Sequence, residues 1–450
     1  MLEEAHTGQP SSSSTSAVLE KSDIETLKAS LRGELLLLDN DGYDSARRIW
    51  NGMIDRKPVL IVRCAGVADI ITAVNFARAH HLLVAVRGGG HNVPGNAVCD
   101  GGIVIDLSRM KGIRVDPVKR TDWAEAGLTL GEFVRETQAF GLGTTVGVVS
   151  TTGLSGLTLG GGLGWLMGKY GLAIDNLLAV DLVTADGQPI RASASEHPDL
   201  FWGVRGGGGN FGIVTAFQFQ LHPVGPLLAG MVVHPLSRAQ EVLRFYREYS
   251  RATPDELTAF AALVTTPEGL PAIAIALCYC GPLEEGERLV EPVRKFGSPL
   301  ADLIGPMAYC NLNSMVDAAF PAGRCCYEKA SRLKELSDEA IETIADYGAA
   351  FTSPFSRVVI QHIHGAASRV GPTETAFVQR EESYVMDIIA LWDKGEAHTH
   401  IEWARTFWTA VEPFATRGGL CQLLGPRRGR ADTSFVRGQL RAVGDPQEHV

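Results

Sequence analysis

Apolar and polar positions follow two different rhythms in the first half of this chain. Residues 58–62, 82–86 and 102–107 are short apolar runs, which predict buried strands. Between the first two runs, apolar residues recur at helical spacing, so residues 69–79 are predicted to form a helix. The order strand, helix, strand predicts a β-α-β unit. Ligands of such units gather at the carboxyl ends of the strands, which here means just after residue 86.

The pattern changes after residues 223–226, a Pro-Val-Gly-Pro segment. From there, short apolar strands alternate with amphipathic helices, and no further phosphate loop follows. Strands are predicted at 257–264, 272–280, 357–364 and 383–392, and helices after Ser237, after Ser337 and at 401–414. This order predicts an antiparallel sheet with helices on one face, and hence a two-domain α+β protein.

Two glycine-rich stretches carry the candidate chemistry. The first, residues 87–95, begins Arg-Gly-Gly-Gly-His, and the second is residues 151–164. Successive glycines lack Cβ atoms and accept positive φ, so their N–H groups can turn inward around an anion such as a diphosphate. A histidine stands where a P-loop has lysine followed by Ser or Thr, which argues against ATP bound through magnesium.

A third glycine motif, Gly-x-Gly-x-x-Gly at residues 207–212, fits the Rossmann dinucleotide fingerprint. That fingerprint must open a helix. Here the alternating, β-branched residues 213–221 follow it, and they predict a strand. We therefore reject a Rossmann site.

The composition excludes several classes of protein. At 450 residues, with 45% hydrophobic and 20% charged residues, the chain is an ordinary globular protein long enough for two domains. A net charge of −10 argues against nucleic-acid binding, and no apolar run reaches the ~18 residues of a membrane span. The N-terminus has no signal-peptide pattern, so a disordered leader and a cytoplasmic protein are predicted. The eight cysteines then stay reduced thiols, and no metal site is expected.

The glycine-rich motifs resemble those of a known family. Residues 87–91 are similar to the flavin loop of the FAD-linked oxidases that include berberine bridge enzyme, glucooligosaccharide oxidase and 6-hydroxy-D-nicotine oxidase. The second stretch, with residues 170–176 after it, resembles the family's second flavin-binding segment. The resemblance implies the vanillyl-alcohol oxidase / p-cresol methylhydroxylase (PCMH) type of FAD-binding fold.

The resemblance also implies how FAD is bound. In the family, the histidine of the first loop carries FAD covalently on the flavin 8α-carbon, which implies that role for His91. Some relatives have a second link from a cysteine, but the matching positions here are Val149 and Ser150, so a single link is implied. The residues implied to bind the cofactor are Arg87, Gly88, Gly89, Gly90, His91, Asn92, Gly95, Ser150, Thr151, Gly153, Ser155, Gly156, Asn176, Gly212, Ile213 and Val214.

The predicted division of the chain follows from the pattern and the resemblance together. Residues 1–20 are a leader, residues 21–55 a helical segment of the flavin domain with a helix at 22–38, residues 56–223 the FAD-binding domain, and residues 227–415 a substrate domain.

The family's chemistry implies an oxidoreductase. Hydride transfer from a small-molecule alcohol, sugar, alkaloid or other secondary metabolite reduces the flavin, and O2 is the implied electron acceptor. One alternative is a dehydrogenase of the same fold that does not use O2. Another is a flavin-binding protein with impaired turnover.

The candidate catalytic residues lie in the second domain. His362 and His364 are two apart on a predicted strand, so both face one side and Gln361 faces the other. We expect the two histidines to line the flavin pocket, with a buried polar ladder or a metal pair as the alternatives. Tyr384, on the next strand, either stacks on a substrate ring or fills the core.

The C-terminal segment, residues 419–450, departs from the family, in which a tyrosine-containing segment returns to the flavin. It has no tyrosine. Codons for its first residues, Gly-Leu-Cys-Gln-Leu-Leu, can be written so that a shift by one base reads Val-Tyr-Val-Asn-Phe. The hypothesis is a reading-frame slip near Gly418, and a divergent but folded terminus is the alternative.

Overall fold

The computed structural model describes residues 19–416, and this part of the chain is an α+β structure, as predicted. The N-terminal half contains two sheets and the C-terminal half one large sheet. Nearly all of the predicted leader and the whole 419–450 segment, with its frame-slip hypothesis, lie outside the described residues. Within residues 19–416, no helix combines the length and the apolar character that a membrane crossing requires.

The first sheet has four strands in the order Glu34–Leu36, Leu60–Arg63, Ile103–Asp106 and Val84–Arg87. The last three are parallel, and helix Val67–Ala79 connects two of them, so the predicted β-α-β unit is confirmed. Strand Val84–Arg87 lies at the edge of this sheet with Val84 and Val86 exposed, so the prediction of a buried strand there is wrong.

The helix predicted at residues 22–38 is shorter in the structure. It spans Lys21–Ser30. Leu35 and Leu36 instead pair with Val62 and Ile61 in the first sheet. The spacing of the leucines fits a helix, but Leu35 and Leu36 form a strand because they pair with a neighbouring strand of the sheet.

The second sheet is antiparallel, with strands Ile113–Asp116, Thr121–Glu125, Ile213–Phe219, Leu177–Val183 and Pro189–Ser193 in that order. Helix Leu130–Gln138 begins at a capping box, in which Thr129 and Glu132 satisfy each other's backbone N–H groups. Strand Ile213–Phe219 confirms that residues 207–212 do not open a helix.

The large sheet is antiparallel. Its strands run in the order Ala301–Asp302, Leu227–Pro235, Pro271–Tyr279, Leu257–Thr265, Arg357–Ile363, Ser383–Trp392 and Cys325–Leu333, with Gly305–Met307 also paired to Leu227–Pro235. Helices Ala239–Ala252, Leu283–Lys295, Asp338–Gly348 and His398–Val411 pack on one side of it, as predicted. The proposed domain boundary at 223–226 falls directly before this sheet and stays a prediction.

Alternation along the strands divides the large sheet into two faces. The helix face carries Val358, Ile360, Tyr384 and Met386, which share a core with the four helices. The opposite side, here called the inner face, carries Ile363 and Val385, which share a core with the N-terminal half. Any group bound between the two halves therefore meets the inner face.

Shorter elements complete the described fold. The helices are Tyr43–Arg47, Leu154–Leu159, Met167–Tyr170, Pro198–Val204, Tyr309–Ser314 and Ala366–Arg369, the single-turn helices are Ala173–Asn176, Leu236–Arg238, Asp317–Ala319 and Glu412–Phe414, and strand Leu142–Gly143 pairs with His222–Pro223.

A buried ion pair ties the segment that follows strand Arg357–Ile363 to the N-terminal half. The Arg380 guanidinium donates to both oxygens of Asp175 at 2.8 Å. Its side chain is 3% exposed and that of Asp175 10%. Nearby, Phe377 fills the space beside two glycines: a Cβ on Gly161 would lie 2.8 Å from its ring, and a Cβ on Gly206 would lie 2.5 Å from the Cβ of Phe377. The second glycine stretch is thus braced from the C-terminal half.

One buried carboxyl in the second sheet makes stability depend on pH. Asp122 is 3% exposed, accepts one hydrogen bond from the Phe219 N–H, and burial raises its pKa to about 8. Because the folded pKa lies above the unfolded one, the free energy of unfolding should fall as the pH rises from about 4 to about 8, by up to ~1.4 kcal/mol per pH unit. Asp122→Asn keeps the acceptor and cannot ionise, so we expect a flatter dependence.

Urea unfolding between pH 5 and pH 8, followed by circular dichroism, measures this difference. Asp346→Asn is the matched control, because Asp346 is exposed on helix Asp338–Gly348. Equal pH slopes for the parent and Asp122→Asn would contradict the assignment.

Candidate active site

The two glycine-rich stretches meet in the fold. A Cβ on Gly88 would lie 2.3 Å from the Ser155 hydroxyl, and one on Gly89 would lie 2.3 Å from the Gly153 nitrogen. Gly153 faces Gly89 in the same way. Only residues without side chains allow the backbones to approach so closely. The two stretches are thus in direct contact at the end of strand Val84–Arg87.

His91 lies beside this contact with its ring held on several sides. Trp50 stacks on the imidazole at 5.3 Å between ring centroids. The Thr151 hydroxyl is 3.1 Å from Nε2, and the Thr152 hydroxyl is 3.4 Å from Nδ1. Burial lowers the pKa of His91 to about 4, while the Asp317 carboxylate acts in the opposite direction. The imidazole is therefore neutral at pH 7, the form that has a free nitrogen lone pair.

The other predicted residues of the first loop shape it. Arg87 donates to the Ala46 carbonyl, and Asn92 accepts from the Asn96 N–H at 2.9 Å. Gly90 and Gly95 have φ values of 70° and 77°, which favour glycine. The hydrogen bonds of Arg87 and Asn92 and the backbone conformation of the two glycines fix the loop that carries His91.

The remaining predicted cofactor residues fall into two groups. Thr151 and Gly156 are exposed beside His91 and the glycine contact, so they are accessible to a ligand. Gly212 has a φ of 138° and is followed by Ile213 and Val214, which are buried at the start of a strand. Direct contact of all of these with FAD stays a prediction.

Asn176 has a structural explanation. Its amide donates to the Tyr170 and Leu172 carbonyls, and its side-chain oxygen lies 2.6 Å from Nε2 of His222. Asn176 is 4% exposed and uses its polar atoms within the protein. These contacts fix the turn after the second glycine stretch, and a role toward the cofactor stays a prediction.

Of the three predicted catalytic residues, His362 and Tyr384 lie on the helix face. His364 follows the end of the strand, and a Cβ on Gly168 of the N-terminal half would lie 2.6 Å from its ring. The rings of His362 and His364 stack at 5.1 Å, so the predicted shared orientation is confirmed, and His362 also stacks on Tyr384 at 4.7 Å. The Tyr384 hydroxyl lies 3.1 Å from that of Ser250 on helix Ala239–Ala252. Strand parity therefore places His362 and Tyr384 away from the inner face. Their catalytic role stays a prediction that this orientation disfavours.

The inner face instead carries a polar cluster that the sequence analysis did not identify. Asp387 on strand Ser383–Trp392 accepts a hydrogen bond from Gln361 at 3.1 Å, and its other oxygen has no partner within the described residues. Glu328 lies on the adjacent strand, opposite Ile389. Gln361 and Glu328 are partly exposed, whereas Asp387 is buried.

The two carboxyl groups hold protons unusually well. Burial, and then repulsion from Asp387, raises the pKa of Glu328 well above its ordinary value. Burial raises the pKa of Asp387 to about 7, and the hydrogen bond from Gln361 opposes that shift. Glu328 therefore favours its protonated form, while Asp387 titrates near pH 7. In its ionised form Asp387 can accept one proton.

This carboxyl pair lies on the same side as His91. Trp50, which stacks on His91, packs in one apolar cluster with Ile389 and Leu391, and Val359 packs against that cluster. Ile389 is two residues from Asp387 and Val359 two from Gln361, and all of them belong to the inner face. The histidine and the carboxyl pair therefore flank the same region between the two halves.

Comparisons with known proteins identify the family of this chain. A model of the FAD binding domain family matches residues 58–193. An FAD-linked oxidoreductase of Dictyostelium discoideum is 33% identical over 86% of this chain and 85% of its own. The (R)-6-hydroxynicotine oxidase of Paenarthrobacter nicotinovorans is 35% identical over 62% of each chain.

The fold also resembles those of solved structures of FAD-linked oxidases. The fold matches 6-hydroxy-D-nicotine oxidase from Arthrobacter nicotinovorans with a TM-score of 0.80 and 29% identity, over 88% of this chain and 90% of that one. A berberine-bridge-enzyme-like protein of Physcomitrella patens matches in fold, with a TM-score of 0.83.

The residues present fit FAD. Gly88, Gly89 and Gly153, here called the glycine cradle, lie in contacts too close for a side chain at any of them. The neutral imidazole of His91 is partly exposed beside this cradle. The matched family segment, residues 58–193, contains all of these positions. The chain therefore belongs to the FAD-linked oxidoreductases with the PCMH-type FAD-binding fold, and it is an FAD-dependent enzyme.

Proposed function

We propose that the protein is an oxidase that holds FAD covalently through His91 and oxidises a small-molecule alcohol or amine, with O2 as the electron acceptor. The observation that carries this proposal is the placement of two carboxyl groups with raised pKa values, Glu328 and Asp387, on the inner face, which also packs against Trp50, the residue that stacks on His91. Removing a hydride from a C–H next to oxygen or nitrogen also requires a group that takes the O–H or N–H proton.

When bound, FAD supplies the hydride-accepting centre. The protein's own residues accept the substrate proton and hold the cofactor. The pair Glu328 and Asp387 accepts the substrate proton, and the Gln361 amide, 3.1 Å from Asp387, holds that carboxyl in place. The imidazole of His91 is neutral and positioned by Trp50, Thr151 and Thr152, which suits bond formation to carbon through a ring nitrogen.

The substrate class follows from the hydrogen-bonding capacity of the pair. A singly protonated carboxyl pair offers several acceptor positions and one donor, so it suits a hydroxyl or amino group. The named activities of similar proteins, on 6-hydroxynicotine and on chitooligosaccharides, cover both groups. A secondary amine and a sugar are therefore the first substrates to test.

The test uses the purified full-length protein. Its visible spectrum is recorded before and after acid precipitation, and it is then mixed with 6-hydroxynicotine, chitooligosaccharides and glucose in air. We expect colour that stays with the precipitate and, for one substrate class, hydrogen peroxide formed in a 1:1 ratio to product, as a two-electron oxidation by O2 requires. Flavin reduction by substrate without peroxide in air would favour the dehydrogenase alternative.

A further inference from the structure

A single turn of the C-terminal half contacts both sides of the His91 environment. This turn, Asp317–Ala319 with the following Phe320, is here called the 317–320 turn. The Asp317 carboxylate accepts hydrogen bonds from the Ser150 N–H, at 2.8 Å, and from the Ser150 hydroxyl. The Phe320 carbonyl accepts from the indole N–H of Trp50 at 3.0 Å.

The two residues held by this turn are the ones that orient the imidazole. Trp50 stacks on His91, and its backbone N–H also donates to the Gly90 carbonyl at 3.0 Å. Ser150 directly precedes Thr151, whose hydroxyl lies 3.1 Å from Nε2. The ring is thus positioned by two supports from the N-terminal half, and each support is fixed by the same turn of the C-terminal half.

Charge adds a second effect. The Asp317 carboxylate raises the pKa of His91, which shows that it stabilises positive charge on the imidazole. The ring gains such charge when a neutral ring nitrogen bonds to carbon, until the N–H proton leaves. A fixed carboxylate near a developing cation lowers the barrier without reorganisation.

We propose that Asp317 is a positioning residue for attachment of FAD to His91, so that attachment becomes efficient only when the C-terminal half has docked. This inference rests on the proposed covalent link. In the net attachment, one imidazole N–H and one C–H of the flavin 8α-methyl are replaced by an N–C bond. The two electrons and two protons released pass to O2 and form hydrogen peroxide.

The position of Ser150 makes the proposal specific to this chain. It is one of the two positions at which relatives with a second link carry cysteine, and here its hydroxyl is committed to Asp317. In this chain the Ser150 side chain is therefore engaged with Asp317, next to Thr151 and the single histidine.

The experiment measures attachment separately from activity. Full-length parent, Asp317→Asn, Asp317→Glu, Ser150→Ala and the double variant Asp317→Asn/Ser150→Ala are sampled during expression, and the covalent fraction of the bound FAD is read after acid precipitation. Loss of one charge-assisted hydrogen bond predicts about tenfold slower attachment in Asp317→Asn. Asp317→Glu, which keeps the charge, should recover part of the rate. The double variant should attach FAD no more slowly than the slower single variant, because both substitutions remove the same contact, the one between the Ser150 hydroxyl and the Asp317 carboxylate.

The outcomes separate the two proposals. A parent without covalent FAD overturns both the proposed function and this inference. A parent with covalent FAD and an equally fast Asp317→Asn overturns only the inference. An Asp317→Asn protein that has lost thermal stability and all bound FAD, and that Asp317→Glu does not rescue, shows a purely structural role and also overturns it.

Discussion

Replacing His91 with alanine should release all FAD from the acid-precipitated protein. The attachment proposed here has one nucleophile, because Ser150 and Val149 occupy the positions where a second link would arise and the seven cysteines within the described residues are buried or partly buried thiols with free side chains. Burial or neighbouring charge raises the pKa of several of them, including Cys64 and Cys326, so they are poor nucleophiles. The glycine cradle remains in the variant, so some FAD should still bind non-covalently.

The measurement is flavin fluorescence in the precipitate and in the supernatant, with peptide mapping of the parent. The flavin should appear on the His91 peptide alone. His398→Ala is the matched control, since His398 is exposed at the start of helix His398–Val411, and it should retain covalent FAD like the parent. Flavin attached to a cysteine peptide, or retained covalently by His91→Ala, would refute the single-link assignment.

Local features of the fold were predictable because nearby residues determine them. The capping box of Thr129 and Glu132 forms within one helical turn, and the strand after residue 212 follows from alternation alone. The glycine cradle was also predictable, because only glycine tolerates backbones that meet at Gly89 and Gly153. In each case the information lies in a short segment.

The candidate site was less predictable because it depends on which face of a strand points inward. Parity correctly put His362 and His364 together, but sequence spacing does not reveal whether a face meets helices or the other half of the protein. The contact of Ser150 with Asp317 joins residues 167 positions apart. Glu328 and Asp387 sit in separate strands, and their proximity appears only once those strands pair.

A similar reason explains the exposed strand Val84–Arg87. An apolar run predicts burial when neighbours cover both of its faces. This strand is the last one in its sheet, so Val84 and Val86 keep 39% and 38% of their surface exposed within the described part of the chain. Position within a sheet is a tertiary property, and the run itself does not encode it.

Removing the carboxyl pair should have the largest effect on turnover. For Asp387→Asn and Glu328→Gln we expect kcat/KM to fall by about 10² to 10⁴, the usual contribution of a positioned general base. The base must be unprotonated to act, and the pKa of Asp387 is raised to about 7, so the parent's kcat/KM should rise with pH through about 7. In Asp387→Asn burial still raises the pKa of Glu328 although the repulsion from Asp387 is gone, so the residual activity should no longer follow the titration of Asp387 near pH 7.

Steady-state rates from pH 5 to pH 9, with the covalent FAD content measured for each protein, separate catalysis from cofactor loss. Glu382→Gln is the control for the opposite face, because Glu382 is exposed and contacts His362 at 3.1 Å. If catalysis uses the inner face, this variant keeps the parent's rate and pH profile. If instead Glu382→Gln lowers kcat/KM as strongly as Asp387→Asn does, the proton acceptor lies on the helix face with His362, and the assignment to Glu328 and Asp387 is wrong.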